Sequence, residues 1–162
     1  MFTTEYFSIS LTSFTLIALA ELGDKSQLVC MTLASRHRHW PVLLGAALAF
    51  SVLNILAVVF GAGVAAWLPE KLTAALVALL FGIFGIHALL INRTDESEVV
   101  VEQTGRSIFM TTLALLFVAE FGDKTQIAVA GLAGSTSPVP VWIGATLALI
   151  LVSALGVWAG RT

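Results

Sequence analysis

Long apolar stretches, separated by short polar punctuation, make up nearly the whole chain. They fall at roughly residues 7 to 34, 41 to 67, 72 to 92, 107 to 133 and 138 to 160. A bilayer crossing takes about 20 apolar residues, so each stretch is long enough to span. Helices are expected throughout, because a segment in lipid must satisfy its own backbone hydrogen bonds. Turn signals divide the stretches: Arg36 to His39 before Trp40 and Pro41, then Pro69, Glu70 and Lys71, and later Gly134 to Pro138. The longest connection, Asn92 to Ser107, carries Asp95, Glu96, Glu98 and Glu102 and reads as a solvated loop.

The same pattern occurs twice. A shift of 99 residues lays Ala20-Glu21-Leu22-Gly23-Asp24-Lys25-Ser26-Gln27 on Ala119-Glu120-Phe121-Gly122-Asp123-Lys124-Thr125-Gln126. Without any gap it also pairs Pro41 with Pro140, Gly45 with Gly144, Ala46 with Ala145, Ala49 with Ala148 and Gly61 with Gly160. The chain therefore divides into a first repeat over 1–92 with three spans, an acidic linker over 93–106, and a second repeat over 107–162 with two. Three spans in the first repeat send the second into the membrane from the opposite side, the logic of inverted-topology transporters. The predicted fold is an all-α integral membrane protein of two inverted repeats, five helices visible and the partner of 72–92 missing from this sequence.

Composition agrees. Hydrophobic residues are 58% and charged residues 11% of the chain, and the mean hydropathy is +0.97, outside the range of soluble domains. A separate soluble domain has no room, and a net charge of -2 with scattered basic residues argues against nucleic acid. The single Cys30 rules out an intramolecular disulfide and reads as a small apolar core residue. No basic residue precedes the first apolar run, so that run is expected to stay as a helix rather than leave as a signal peptide. Arg36, Arg38, Arg93, Arg106 and Arg161 fall on one side of the membrane and Lys71 on the other. By the positive-inside rule the N-terminus is outside and the 93–106 loop cytoplasmic, in a plasma or inner membrane.

The candidate chemistry lies in the repeated motif. Six charged residues sit inside two spans, where each ionised side chain costs about 3 kcal/mol or more. On a continuous helix, residues three apart share a face, which would make Glu21, Asp24 and Gln27 one stripe and Glu120, Asp123 and Gln126 another. Four carboxylates, with oxygens from Gln27, Gln126, Ser26 and Thr125 in support, suit a hard divalent cation such as Ca²⁺, Mn²⁺ or Mg²⁺; soft metals would want sulfur or imidazole. Lys25 and Lys124 reduce the charge of the four acids to a formal -2, the charge of one M²⁺ or two protons. Gly23 and Gly122 permit either close helix approach or a break. A purely structural reading pairs Glu21 with Lys25 and Glu120 with Lys124 at i,i+4. It leaves Asp24 and Asp123 without a role.

Other polar residues carry less. Asn54 reads as an interhelical hydrogen-bonding residue, His87 as a helix-end residue, and His37 and His39 as topology determinants. Neither motif supplies the nucleophile or catalytic histidine that a membrane enzyme would need, so no enzyme and no cofactor is expected.

The hexads Glu21-Leu22-Gly23-Asp24-Lys25-Ser26 and Glu120-Phe121-Gly122-Asp123-Lys124-Thr125 resemble the paired E-x-G-D-K-[ST] signature of the Gcr-dependent translation factor family, whose animal member is transmembrane protein 165. The resemblance covers essentially the whole chain. It implies manganese and calcium transport by cation/proton antiport with the two motifs as the cation site, and, in a short chain of bacterial type, manganese export. The family pattern has six helices, against five here. Expected partners are thus the cation and protons as cargo and the bilayer as solvent; a homo-oligomer is compatible with so apolar a chain. A cation-selective channel without proton coupling would use the same ligands.

Overall fold

The computed structural model describes residues 2–69 and 108–161, together with 71–73, 75–76, 78–79, 82–83 and 86. The linker 93–106 and His87 lie outside the described residues, as does most of the predicted span 72–92. Among the described residues the chain is all helix: α1 (Phe2–Glu21), α2 (Lys25–Arg36), α3 (His39–Ala65), α4 (Ile108–Glu120), α5 (Lys124–Ser135) and α6 (Pro138–Ala159).

Helices α3 and α6 are each long and apolar enough to cross a membrane. Both are apolar around the full circumference, as expected of helices that meet protein on one side and lipid on the other. Prolines sit at or near their starts, Pro41 in α3 and Pro138 and Pro140 in α6, where a missing N–H costs no helical bond. The run expected as one helix over 7 to 34 is instead two. α1 and α2 together are apolar enough for one span but are bent by 73° at residues 22–24. The run at 107 to 133 is likewise interrupted, between Glu120 and Lys124. The cause is local: Gly23 and Gly122 adopt φ of 80° and 78°, a left-handed conformation that ends a helix, and an aspartate follows at the N-cap of the next.

Packing is reciprocal. α1 and α2 lie against α6, α4 and α5 lie against α3, and α3 lies against α6. Repeat-related glycines mark the contacts. A Cβ on Gly45 would stand 2.7 Å from the Phe109 carbonyl oxygen and 3.2 Å from the Leu113 nitrogen; on Gly144 it would strike the Ser10 carbonyl and stand 3.0 Å from the Phe14 nitrogen. Gly61 meets the backbone of Ala130 and Gly160 that of Met31 in the same manner. Each of these neighbours is offset from its counterpart by the repeat shift of 99. The buried core obeys the same pairing: Ile17 and Leu116, Val42 and Val141, Ala46 and Ala145, Ala49 and Ala148, Leu53 and Val152 are all buried.

The outer surface is apolar. Phe7, Val59, Phe60, Trp67, Val118 and Trp158 are all more than half exposed, an arrangement suited to hydrocarbon rather than water. Cys30 is buried, as read from sequence. Asn54, fully buried in α3, donates from Nδ2 to Thr146 Oγ1 on α6 at 3.1 Å, the interhelical bond expected of it.

The contact geometry predicts that Gly144→Leu and Gly61→Val each destabilise the protein by about 1–3 kcal/mol, the usual cost of overpacking. Gly63→Ala, where an added Cβ meets nothing within 4 Å, should be close to neutral. Thermal unfolding in detergent, followed by fluorescence, compares the three.

Candidate functional site

The glutamate before each break is buried, while Leu22 and Phe121 within the breaks are exposed. Glu21 closes α1 and Asp24 opens α2; Glu120 closes α4 and Asp123 opens α5. The single stripes expected of Glu21, Asp24 and Gln27 and of their counterparts therefore do not form, because Gly23 and Gly122 turn the chain between the two acids. The turn achieves what the stripe was expected to do. Glu21 and Glu120 are both buried, and one oxygen each from Glu21, Asp24 and Asp123 lie within 4.8 Å of one another. Glu120 stands outside that group.

The two repeats meet at these side chains. The Thr125 hydroxyl on α5 donates to Glu21 Oε1, and the Ser26 hydroxyl on α2 donates to Glu21 Oε2 at 3.3 Å. Lys124 forms an ion pair with Asp24 Oδ2. Lys124, which a purely structural reading would pair with Glu120 in its own motif, thus reaches across to the other motif. Asp24 Oδ1 accepts from the Lys25 N–H at 2.8 Å and so caps α2, while Asp123 makes no such side-chain cap.

Gln27 and Gln126 hold the breaks. The Gly23 N–H donates to Gln27 Oε1 at 2.7 Å, and the Gly122 N–H to Gln126 Oε1 at 3.0 Å. These amides have been turned off the helix axis at exposed positions, and in hydrocarbon a backbone donor without a partner is expensive. Gln126 also donates from Nε2 to the Leu53 carbonyl at 3.2 Å, tying its break to α3.

The sequence profile of a family described as "Divalent cation/proton antiporter GDT1" matches residues 9–96 and 108–162. The chain belongs to this family. Each matched stretch carries one of the two motifs, and the gap between them falls in the acidic linker. The GDT1-like relatives include "GDT1-like protein 3" of Arabidopsis thaliana, 30% identical over 95% of this chain and 61% of its own length. Another, from Vibrio cholerae serotype O1, is named "Putative manganese exporter" and is 32% identical over 98% of this chain and 80% of its own. A third, "GDT1-like protein sll0615" of Synechocystis, is 33% identical over 93% and 84%. The chain thus spans about three fifths of the plant relative it matches. No solved structure matches.

The cross-repeat contacts of Lys124 and Thr125 were not legible in the motif. Of the two roles the glycines left open, close approach or a break, the structure takes the break, with Gly23 and Gly122 at positive φ.

If Gln27 and Gln126 latch the breaks, Gln27→Leu and Gln126→Leu should each lower stability by about 1 kcal/mol, the usual net worth of one hydrogen bond. Gln126→Glu, which keeps the acceptor for Gly122 and loses the donor to Leu53, should cost less than Gln126→Leu. Thermal melts of purified variants measure the order.

Proposed function

We propose that this protein exchanges a divalent cation for protons across the membrane, carrying Mn²⁺ or Ca²⁺ at the carboxylates of Glu21, Asp24, Glu120 and Asp123. The observation that carries the reading is the meeting of Glu21, Asp24 and Asp123 oxygens within 4.8 Å, drawn from two interrupted helices. Structural ion pairs would not need three acids in one place. Hard oxygen donors without sulfur or a histidine suit Mn²⁺ and Ca²⁺. The family's description supports antiport, and the Vibrio relative's name supports manganese leaving the cell.

Two inverted-topology repeats are the proposed architecture, supported by the reciprocal packing of α1–α2 on α6 and α4–α5 on α3. Interrupted helices with the site at the break are the transporter solution to placing polar backbone and charge at midplane depth. Ser26 and Thr125 orient the acids through their hydroxyls, and Gln27 and Gln126 fix the breaks. The orientation proposed has the N-terminus outside and residues 93–106 in the cytoplasm. Glu120, fourth of the acids, joins the site when the arrangement around Glu21 changes over to the other half.

Replacing Glu21 or Glu120 by Gln should abolish transport while the protein stays folded, because the amide keeps the size and removes the charge that replaces the cation's water. Asp24→Asn and Asp123→Asn should do the same. Uptake of Mn²⁺ into proteoliposomes measures this, and wild-type rates in all four variants would remove the site from consideration.

Carboxylates this close repel one another when ionised, so protons and metal compete for the same oxygens. Lowering pH adds protons and must release metal: apparent Mn²⁺ affinity should fall as pH drops from about 8 to 6. In sealed vesicles an inward metal gradient should drive proton efflux, read with a trapped pH dye. Metal flux that leaves internal pH unchanged would favour a divalent-selective channel instead.

A further inference from the structure

All four carboxylate oxygens of Glu21 and Asp24 already have a protein partner. Thr125 and Ser26 occupy Glu21, the Lys25 N–H occupies Asp24 Oδ1, and Lys124 occupies Asp24 Oδ2. Three of these partners are neutral dipoles that can stay when a cation arrives, because each carboxylate oxygen has a second lone pair. Lys124 is different. It carries a full positive charge and forms an ion pair with Asp24 Oδ2, a buried atom with no hydrogen-bond partner among the described residues. An ammonium and a divalent cation repel one another and cannot share that oxygen. The lysine also has somewhere to go: its side chain is 39% exposed, against 19% for the aspartate.

We propose that Lys124 is a tethered competing cation, which neutralises Asp24 while the site is empty of metal and swings away when the metal binds. This rests on the carboxylate site proposed above. Lys124 stands next to Asp123 in sequence, so the turn that brings one ligand to the metal also carries its competitor. Two effects follow from one residue. The empty site never presents its full negative charge to the low-dielectric interior, and the bound metal is always opposed by a returning ammonium, which weakens binding and speeds release. Lys124 is here a positioning residue that acts through Asp24.

The test uses the full chain in detergent and in proteoliposomes, with Mn²⁺ as the probe. Lys124→Met should bind Mn²⁺ roughly tenfold more tightly by isothermal titration, the worth of one charge-assisted contact, while maximal transport falls. Lys124→Arg, which can grip a carboxylate with two N–H groups, should bind Mn²⁺ more weakly than wild type. In the wild type, acylation of Lys124 by an amine reagent, followed by mass spectrometry, should rise several-fold when Mn²⁺ is added. That last measurement needs no variant, so a misfolded Lys124→Met leaves the inference open to refutation. Unchanged or weaker binding by a folded Lys124→Met, or acylation that Mn²⁺ leaves level or suppresses, overturns it. The carboxylate site is judged separately: if wild type binds Mn²⁺ and Glu21→Gln does not, that site stands whatever Lys124 does. If wild type binds no Mn²⁺, the site falls and the competitor role with it.

Discussion

A helix interrupted inside a bilayer frees backbone groups that no water can reach, and everything at the centre of this protein answers that constraint. Glycine at φ near 80° lets the chain turn, and the turned N–H is caught by a glutamine four residues on. An aspartate then stands at the N-cap of the helix that follows, and in α2 its side chain accepts the Lys25 N–H. Interruption in exchange for chemistry is the bargain: Glu21 at the end of α1 and Asp24 at the start of α2 come together with Asp123 from the other break, where a straight helix with 1.5 Å rise per residue would hold Glu21 and Asp24 at different depths.

The two halves are alike in sequence and unlike in contact. Glu21 holds the hydroxyls of both Ser26 and Thr125, although one belongs to each motif. Asp24 has the cap and the lysine, while Asp123 lacks a side-chain cap. The two motifs, alike in residues, thus settle unevenly, with the hydroxyl partners gathered on Glu21.

Much of this was legible in the chain, and the reasons are specific. Apolar runs announced helices because lipid leaves a spanning backbone few choices, and the shift of 99 found the motifs, the glycine contacts and the proline starts. It could not reveal that identity mattered less than volume in the core, where Ile17 answers Leu116 and Leu53 answers Val152. Continuous helices over 7 to 34 and 107 to 133 were expected from hydropathy, which averages over a window and passes across a three-residue turn. Helix periodicity then misplaced Asp24 and Asp123 on one face with their glutamates. The reach of Lys124 to Asp24 depends on tertiary position alone, and nothing in the spacing of a single motif points to a partner in the other.

Reciprocal packing also bears on how such a chain is made. The first pair of helices leans on the last helix, and the contact at Gly144 joins residues that leave the ribosome more than a hundred positions apart. Until α6 is synthesised, α1 and α2 lack the helix they pack on, and until α5 is, Glu21 lacks its threonine. The first half is therefore only partly packed until the second half arrives. Insertion and assembly become separate stages, and the cooperative unit is the whole described assembly rather than either repeat.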